Sequence, residues 1–293
     1  MSKLTQVYGG RAYIEFHSGR GDKHYYVVSI PELDLYDLFQ PSVTGVLSMQ
    51  DKSGALVHWA TNCLYEYAKA AVASLPEPIK RGAITAMLTR AMKDWRRVKD
   101  EKADIGSVVH RVLEQELLAR AGKADHPKLP LVADPILAPG LDEEMIAQAN
   151  NCIKAGFQFF DEHHIELIAT EAVRWSPKYG YLGTGDLVAM YDGVRASLDY
   201  KSGKRIYPSV WLQLAAYQKA WEEEFPEQPI EKRVAINVGR DGILSTMERD
   251  NTTIQQDFAA FLGLLRIWRW NEENKDYKPK PAPQIVGPFY QNA

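Results

Sequence analysis

The sequence predicts an α/β protein, and three observations carry that expectation. Alternating β-branched and aromatic stretches near the start flank a turn-rich loop, helical periodicity dominates the middle, and hairpin patterns return later, interleaved with helices. Arg11–Phe16 and His24–Val28 read as strands around Ser18-Gly-Arg-Gly-Asp22. Pro41-Ser-Val-Thr44 then leads into a helical region whose apolar side is Trp59, Leu64, Tyr65 and Ala68, until Pro76 and Pro78 interrupt it. A further helix is expected from about Ile84 to Val98. Another is introduced by Gly106 and runs through Val109, Val112, Leu113 and Leu117 to near Gly122. Ala124–Pro139 reads as a loop, and helix resumes from Asp142 to Asp161. Ile165–Trp175 reads as a strand. After a hairpin, a helix runs from Pro208, tolerated in a first turn, to Phe225, with Pro226 as its stop. A second hairpin pairs Arg233–Val238 with Ile243–Met247 around Asp241-Gly242. Thr252 or Thr253 caps a last helix to about Asn271, before a tail rich in Pro and Lys from Lys278 through Pro283. The economical organisation is one domain with an elaboration: residues 1–104 the N-terminal β-hairpin and helices, 105–277 the core, 278–293 a tail.

The most informative stretch is Gly183-Thr-Gly-Asp186, followed by Leu198-Asp-Tyr-Lys201. Between them, Leu187–Tyr191 and Val194–Leu198 are joined by Asp192-Gly193, the dipeptide of a two-residue type I′ turn. That turn makes Tyr191 face Val194. Counting outward puts Asp186 opposite Asp199, with Cβ atoms roughly 4.5–5.5 Å apart. Lys201, two residues on, shares the face of Asp199. Facing acids are destabilising unless compensated, so two acids and a lysine on one side of a sheet suggest a cation site with a positive group beside it. The same residues also fit an exposed hairpin end in which Asp199 and Lys201 form a weak surface pair.

Composition narrows the function classes. The chain has 293 residues, 35 Lys and Arg against 38 Asp and Glu, and a net charge of −3, so any attraction to nucleic acid has to be local. Lys80, Arg81, Arg90, Lys93, Arg96, Arg97 and Lys99 crowd a stretch with Asp94 as its opposing charge, and either track phosphates or form a solvated helix face. Cys63 and Cys152, far apart and outside any CxxC pattern, argue against structural zinc, an iron–sulfur cluster and a disulfide framework. The opening Met-Ser-Lys-Leu-Thr-Gln lacks an apolar signal core and no apolar run is long enough to span a bilayer, so a cytoplasmic protein without membrane contact is expected.

Four elements line up in order: a Gly106-x-x-x-His110 helix, Glu171 on a strand, Asp186 with Asp199-x-Lys201 on a hairpin, and Gln213-x-x-x-Tyr217 on the next helix. This order resembles the RecB-type branch of the PD-(D/E)XK nuclease superfamily, which also contains the CRISPR-adaptation exonucleases and many phage exonucleases. The resemblance implies a restriction-endonuclease-like core, a mixed central sheet flanked by helices. It implies that Asp186 and Asp199 are the metal-binding acids, joined by the Tyr200 backbone carbonyl, and that Lys201 is the catalytic lysine. His110 would be the branch's additional metal ligand and Glu171 an acid of less defined role. Gln213 and Tyr217 would support the site and approach the substrate strand, with Arg90, Lys93, Arg96, Arg97 and Lys204 completing the DNA contacts. Mg²⁺ or Mn²⁺ is the implied cofactor. The iron–sulfur cluster of some CRISPR-associated members needs four cysteines, which this chain does not have.

The implied activity is a metal-dependent DNA exonuclease of phage or bacterial recombination and repair, acting on DNA that is single-stranded or has duplex ends, alongside a recombination partner protein. It would work in the host cytoplasm if phage-encoded. A structure-specific endonuclease of the same fold and a catalytically inactive DNA-binding subunit are the alternatives. Read residue by residue, His110 also fits a structural histidine, Gln213 and Tyr217 a polar pair at the core edge, and Glu171 a partner of Arg174.

Overall fold

The computed structural model describes residues 4–18, 24–50, 53–73, 81–123 and 141–276. Among these the chain forms two sheets. The first holds β1 (Leu4–Val7), β2 (Ala12–Ser18), β3 (His24–Ile30) and β4 (Leu35–Gln40), antiparallel and in sequence order. The expected N-terminal hairpin is therefore the middle of a four-stranded sheet. The sequence signal of the outer strands is weak because β1 has only four residues and β4 is half polar, largely exposed, with Asp37 at φ +55°.

Helices α1 (Val43–Leu47), α2 (Ser53–Ala73), α3 (Arg81–Arg120) and α4 (Glu143–Glu162) follow. Ser42 caps α1 by accepting from the Gly45 N–H at 2.9 Å, and Asp142 caps α4 by accepting from the Met145 N–H at 2.9 Å. The two helices expected over residues 84–122 are one helix of 40 residues, and residues 104 and 105 sit consecutively inside it. No proline occurs between Arg81 and Arg120, and an interior glycine costs only about 1 kcal/mol against alanine. That is small beside the burial of Ile105, Val108, Val109, Val112, Leu113 and Leu117 just beyond Gly106. The end near Gly122 stands: Gly122 has φ +67°, and the N–H groups of Lys123 and Gly122 bond back to the carbonyls of Leu118 and Ala119, closing a Schellman motif. On α2, Tyr65 is exposed, contrary to its expected place on an apolar side, and the side chain of Trp59 is outside the described residues. So are Pro76, Pro78, the loop 124–139 and the tail from Lys278.

The second sheet holds β5 (Ile165–Ser176), β6 (Tyr181–Tyr191), β7 (Val194–Lys201), β8 (Lys232–Val238) and β9 (Leu244–Asp250) in sequence order. All neighbours are antiparallel except β7 and β8. Parallel neighbours require a crossover, which α5 (Ser209–Glu224) supplies; α6 (Ile254–Glu273) closes the described chain. Period-2 alternation sorts the side chains between two cores. Leu187, Ala189 and Tyr191 of β6, Ala196, Leu198 and Tyr200 of β7, and Val234, Ile236 and Val238 of β8 pack with α3 and α4. Val188 and Ala235, one residue out of phase, pack with Trp221, Trp211 and Leu214 of α5.

The last helix departs in one detail from expectation. Thr253 precedes it, but its hydroxyl donates to the Asp257 carboxylate at 3.0 Å, while Asp250 caps the preceding 3-10 turn by accepting from the Thr252 N–H at 2.9 Å. The first sheet joins the second through Val7, Ala12, Ile14, Tyr26 and Val28, which bury Trp175 and Leu182. No helix among the described residues is long and apolar enough to cross a membrane.

Candidate functional site

Turn chemistry sets the hairpin register as the sequence implies: Asp192 and Gly193 have φ of +47° and +88°, and Tyr191 pairs with Val194. The β6–β7 ladder ends at Leu187 and Leu198, one position before the expected pair of acids. From there β6 stays with β5, while β7 remains paired with β8 through Lys201. Asp186 thus sits where two strands part company, and its Oδ2 accepts from the Tyr200 N–H at 2.8 Å. Tyr200 meets Asp186 through this amide.

Across from Asp186 on β5, the pairs Thr170–Leu187 and Ala172–Gly185 flank Glu171, whose φ is +45°. A left-handed residue inside a strand costs of order 1–3 kcal/mol and persists only where the surroundings hold it. Its result is visible in the cluster: one ligand atom each from His110, Glu171 and Asp186 lies within 4.8 Å of the other two. His110 comes from α3, its Nδ1 3.5 Å from Asp186 Oδ2. The Thr170 hydroxyl donates to the Asp186 carbonyl at 3.1 Å and ties the two strands together here.

Asp199 and Lys201 share a face, as expected, and form an ion pair. Asp199 is 1% exposed, and its Oδ1 finds no hydrogen-bond partner among the described residues. Burial, helped by the Asp186 charge, pushes its carboxyl up to about 6 against the pull of Lys201. Asp186 is shifted the other way: burial opposes ionisation, but His110, Lys201 and the Tyr200 N–H outweigh it. For His110, burial disfavours the imidazolium, yet Asp186 and Asp199 push its pKa up to about 9. The ammonium of Lys201 donates to Gln213 Oε1 at 3.2 Å, and Gln213 Nε2 donates to the Tyr217 hydroxyl at 3.3 Å, so α5 holds the lysine from above.

One residue at the site enters the sequence reading only as an alternative partner for Glu171. Arg174 is buried behind the acids, its Nη1 donating to Ser197 Oγ at 3.1 Å and its guanidinium over the rings of Tyr217 and Trp221 at 5.4 and 5.8 Å. Nε and Nη2 have no hydrogen-bond partner among the described residues. Burial lowers its pKa to about 10, while Tyr217, Asp186, Asp199 and Glu171 act in the opposite sense. Arg174 and Tyr217 together explain the glycines of Gly183-Thr-Gly-Asp186. A Cβ at Gly185 would stand 2.4 Å from the Arg174 Cζ, and one at Gly183 would stand 2.8 Å from the Tyr217 ring.

The remaining candidates are not part of this cluster. Arg90, Lys93, Arg96 and Arg97 belong to α3, roughly 20–30 Å along the helix from His110 at 1.5 Å per residue, and their side chains are outside the described residues. Lys204 is exposed and lines a cavity of about 850 Å³ with Arg240 and Tyr207.

The donor set is one imidazole nitrogen with carboxylate oxygens, beside the buried Asp199 Oδ1, which has no hydrogen-bond partner among the described residues. Such a set fits a hard divalent cation such as Mg²⁺ or Mn²⁺, the nitrogen favouring Mn²⁺. No protein-family model matches the chain, and comparison with curated proteins finds no match.

Proposed function

We propose that the chain is a divalent-cation-dependent deoxyribonuclease with a PD-(D/E)XK core. The observation that carries this reading is the convergence of His110, Glu171 and Asp186, from three elements, beside the Asp199–Lys201 pair. The mixed sheet, with α5 crossing between its one parallel pair of strands, supports the same core.

A bound Mg²⁺ or Mn²⁺ would polarise a phosphoryl oxygen and lower the pKa of a coordinated water. The chain's own residues prepare for that chemistry. Asp186 is held ionised as a ligand. His110, whose pKa the two acids raise to about 9, would give up its proton to ligate. Lys201, fixed between Asp199 and Gln213, offers a positive charge to the phosphate as negative charge develops on it. Two hydrogen bonds from Tyr217 through Gln213 keep that ammonium in place.

The test is incubation with end-labelled linear and circular DNA in Mg²⁺, Mn²⁺ or chelator. Digestion of linear DNA alone, abolished by chelator, is the expected result and identifies an exonuclease. Nicked circles identify an endonuclease of the same fold. Binding without cleavage identifies an inactive DNA-binding subunit, and neither binding nor cleavage sinks the nuclease reading.

A further inference from the structure

Beside Lys201 the surface opens into two adjoining cavities of about 410 and 850 Å³ that share Gly203, Tyr207 and Arg240 in their walls. The first begins at Lys201 and Gln213; the second continues past Lys204. Together they make one groove that leaves the acid cluster over the 202–207 loop. Its charge is one-sided. Lys201, Lys204, Arg205 and Arg240 line it, and the one acid in its walls, Asp241, already accepts from the Ile243 N–H at 3.1 Å within its own turn.

The groove is built into the fold. Arg240 Nε donates to the Ser202 carbonyl at 3.0 Å, and the Arg240 carbonyl accepts from Asn151 of α4 at 3.0 Å. With its amide turned to donate, Asn237 of β8 reaches the carbonyls of Lys201 and Gly203 at 3.2 and 3.1 Å. Above this floor Tyr207 is 52% exposed, with the Arg205 guanidinium over its ring at 4.9 Å. An exposed aromatic ring flanked by cations in a groove is the pattern that holds single strands without reading sequence: phosphates track the charges and a base stacks on the ring.

We infer that this groove binds the single-stranded DNA leading to or from the scissile phosphate, with one base stacked on Tyr207 and phosphates along Lys204, Arg205 and Arg240. The inference rests on the nuclease reading and narrows its substrate to an unpaired strand at the site. A base inside a duplex is stacked on both faces and cannot turn one to a tyrosine, so the exposed ring favours an unpaired strand.

Equilibrium binding to a short single-stranded DNA and to a blunt duplex, in chelator so that nothing is cut, tests the assignment. Tyr207→Ala is expected to weaken single-strand binding roughly 5- to 150-fold, the loss of one base–aromatic stack. Tyr207→Phe keeps the ring and retains affinity, and duplex binding is unchanged in both. Lys204→Ala with Arg205→Ala should flatten the salt dependence by about 0.7 per lost phosphate contact. If Tyr207→Ala binds single strands like the parent, or the salt slope stays put, the groove assignment is overturned. Metal-dependent cleavage by the parent protein separates the two readings. A parent that cuts while the groove variants bind normally retains the nuclease reading with another strand path; a parent that neither binds nor cuts loses both.

Discussion

Lys201 shows how much one side chain depends on its holders. Its ammonium is shared between a buried acid and an amide from α5, so its position is set before any substrate arrives. Lys201→Ala is therefore expected to lower turnover by orders of magnitude while leaving DNA affinity close to the parent's, measured as single-turnover rates beside equilibrium binding. Near-normal turnover would remove the lysine from the chemistry. Arg174 makes the opposite point, since its role was hidden. Gly185→Ala drives a methyl into its guanidinium and should cost about 1–3 kcal/mol in urea unfolding, as overpacking does. Unaltered stability would mean that the arginine is free to retreat. The acids and Lys201 were legible because turn type and strand period fix positions on a face. Neither the left-handed backbone of Glu171 nor the burial of Arg174 follows from a local rule, because both depend on what packs behind the strand.

Among the elements, α6 is tied to β8 and β9 by charge. Asp257 accepts from Arg233 at 2.6 Å and from Arg249 at 2.8 Å, with Arg233 fully buried. Burial alone would raise the Asp257 pKa, but the two arginines and Thr253 outweigh it and hold it below the usual carboxylate range. The sign follows from linkage. A depressed folded pKa gives stability that is complete above the unfolded value of about 3.9 and is lost as pH falls through the folded one. Acid unfolding should thus steepen below about pH 4, and Asp257→Asn should remove that contribution. The substitution should also cost about 3–5 kcal/mol at neutral pH, because a buried Arg233 loses its partner. A variant with unchanged neutral stability would show that the Thr253 hydroxyl and the Asp250 carbonyl, each accepting from Arg233 Nη2 at 3.0 Å, suffice for that arginine.

For the molecule as a whole, the sequence spelled out the second sheet better than the first. Asp-Gly turns, Pro208, Pro226 and clean alternation marked β6 to β9 and α5, whereas β1 and β4 declare themselves only through their pairing with β2 and β3. Continuity of α3 was equally hidden, since Gly106 reads as a break until the burial on its far side is known. A cation bound to the native cluster should stabilise the entire fold, by about 2.7 kcal/mol at a hundredfold excess over its dissociation constant. Asp186→Asn should abolish that gain in thermal unfolding with and without Mn²⁺. An undiminished gain in the variant would place the cation elsewhere.

His110, on a helix, meets Glu171 and Asp186 across about sixty residues of chain, while the two acids sit on neighbouring strands. No early fragment of the chain can hold all three, so a cation would have nothing to grip until α3 has docked on the paired β5 and β6. Kinetically, a ligand that meets its site only after the barrier leaves the folding rate alone and lengthens the lifetime of the folded state. Stopped-flow measurements should find unfolding slowed by Mn²⁺ and refolding untouched, so that the departure of the ion becomes a clock for the first opening of the sheet.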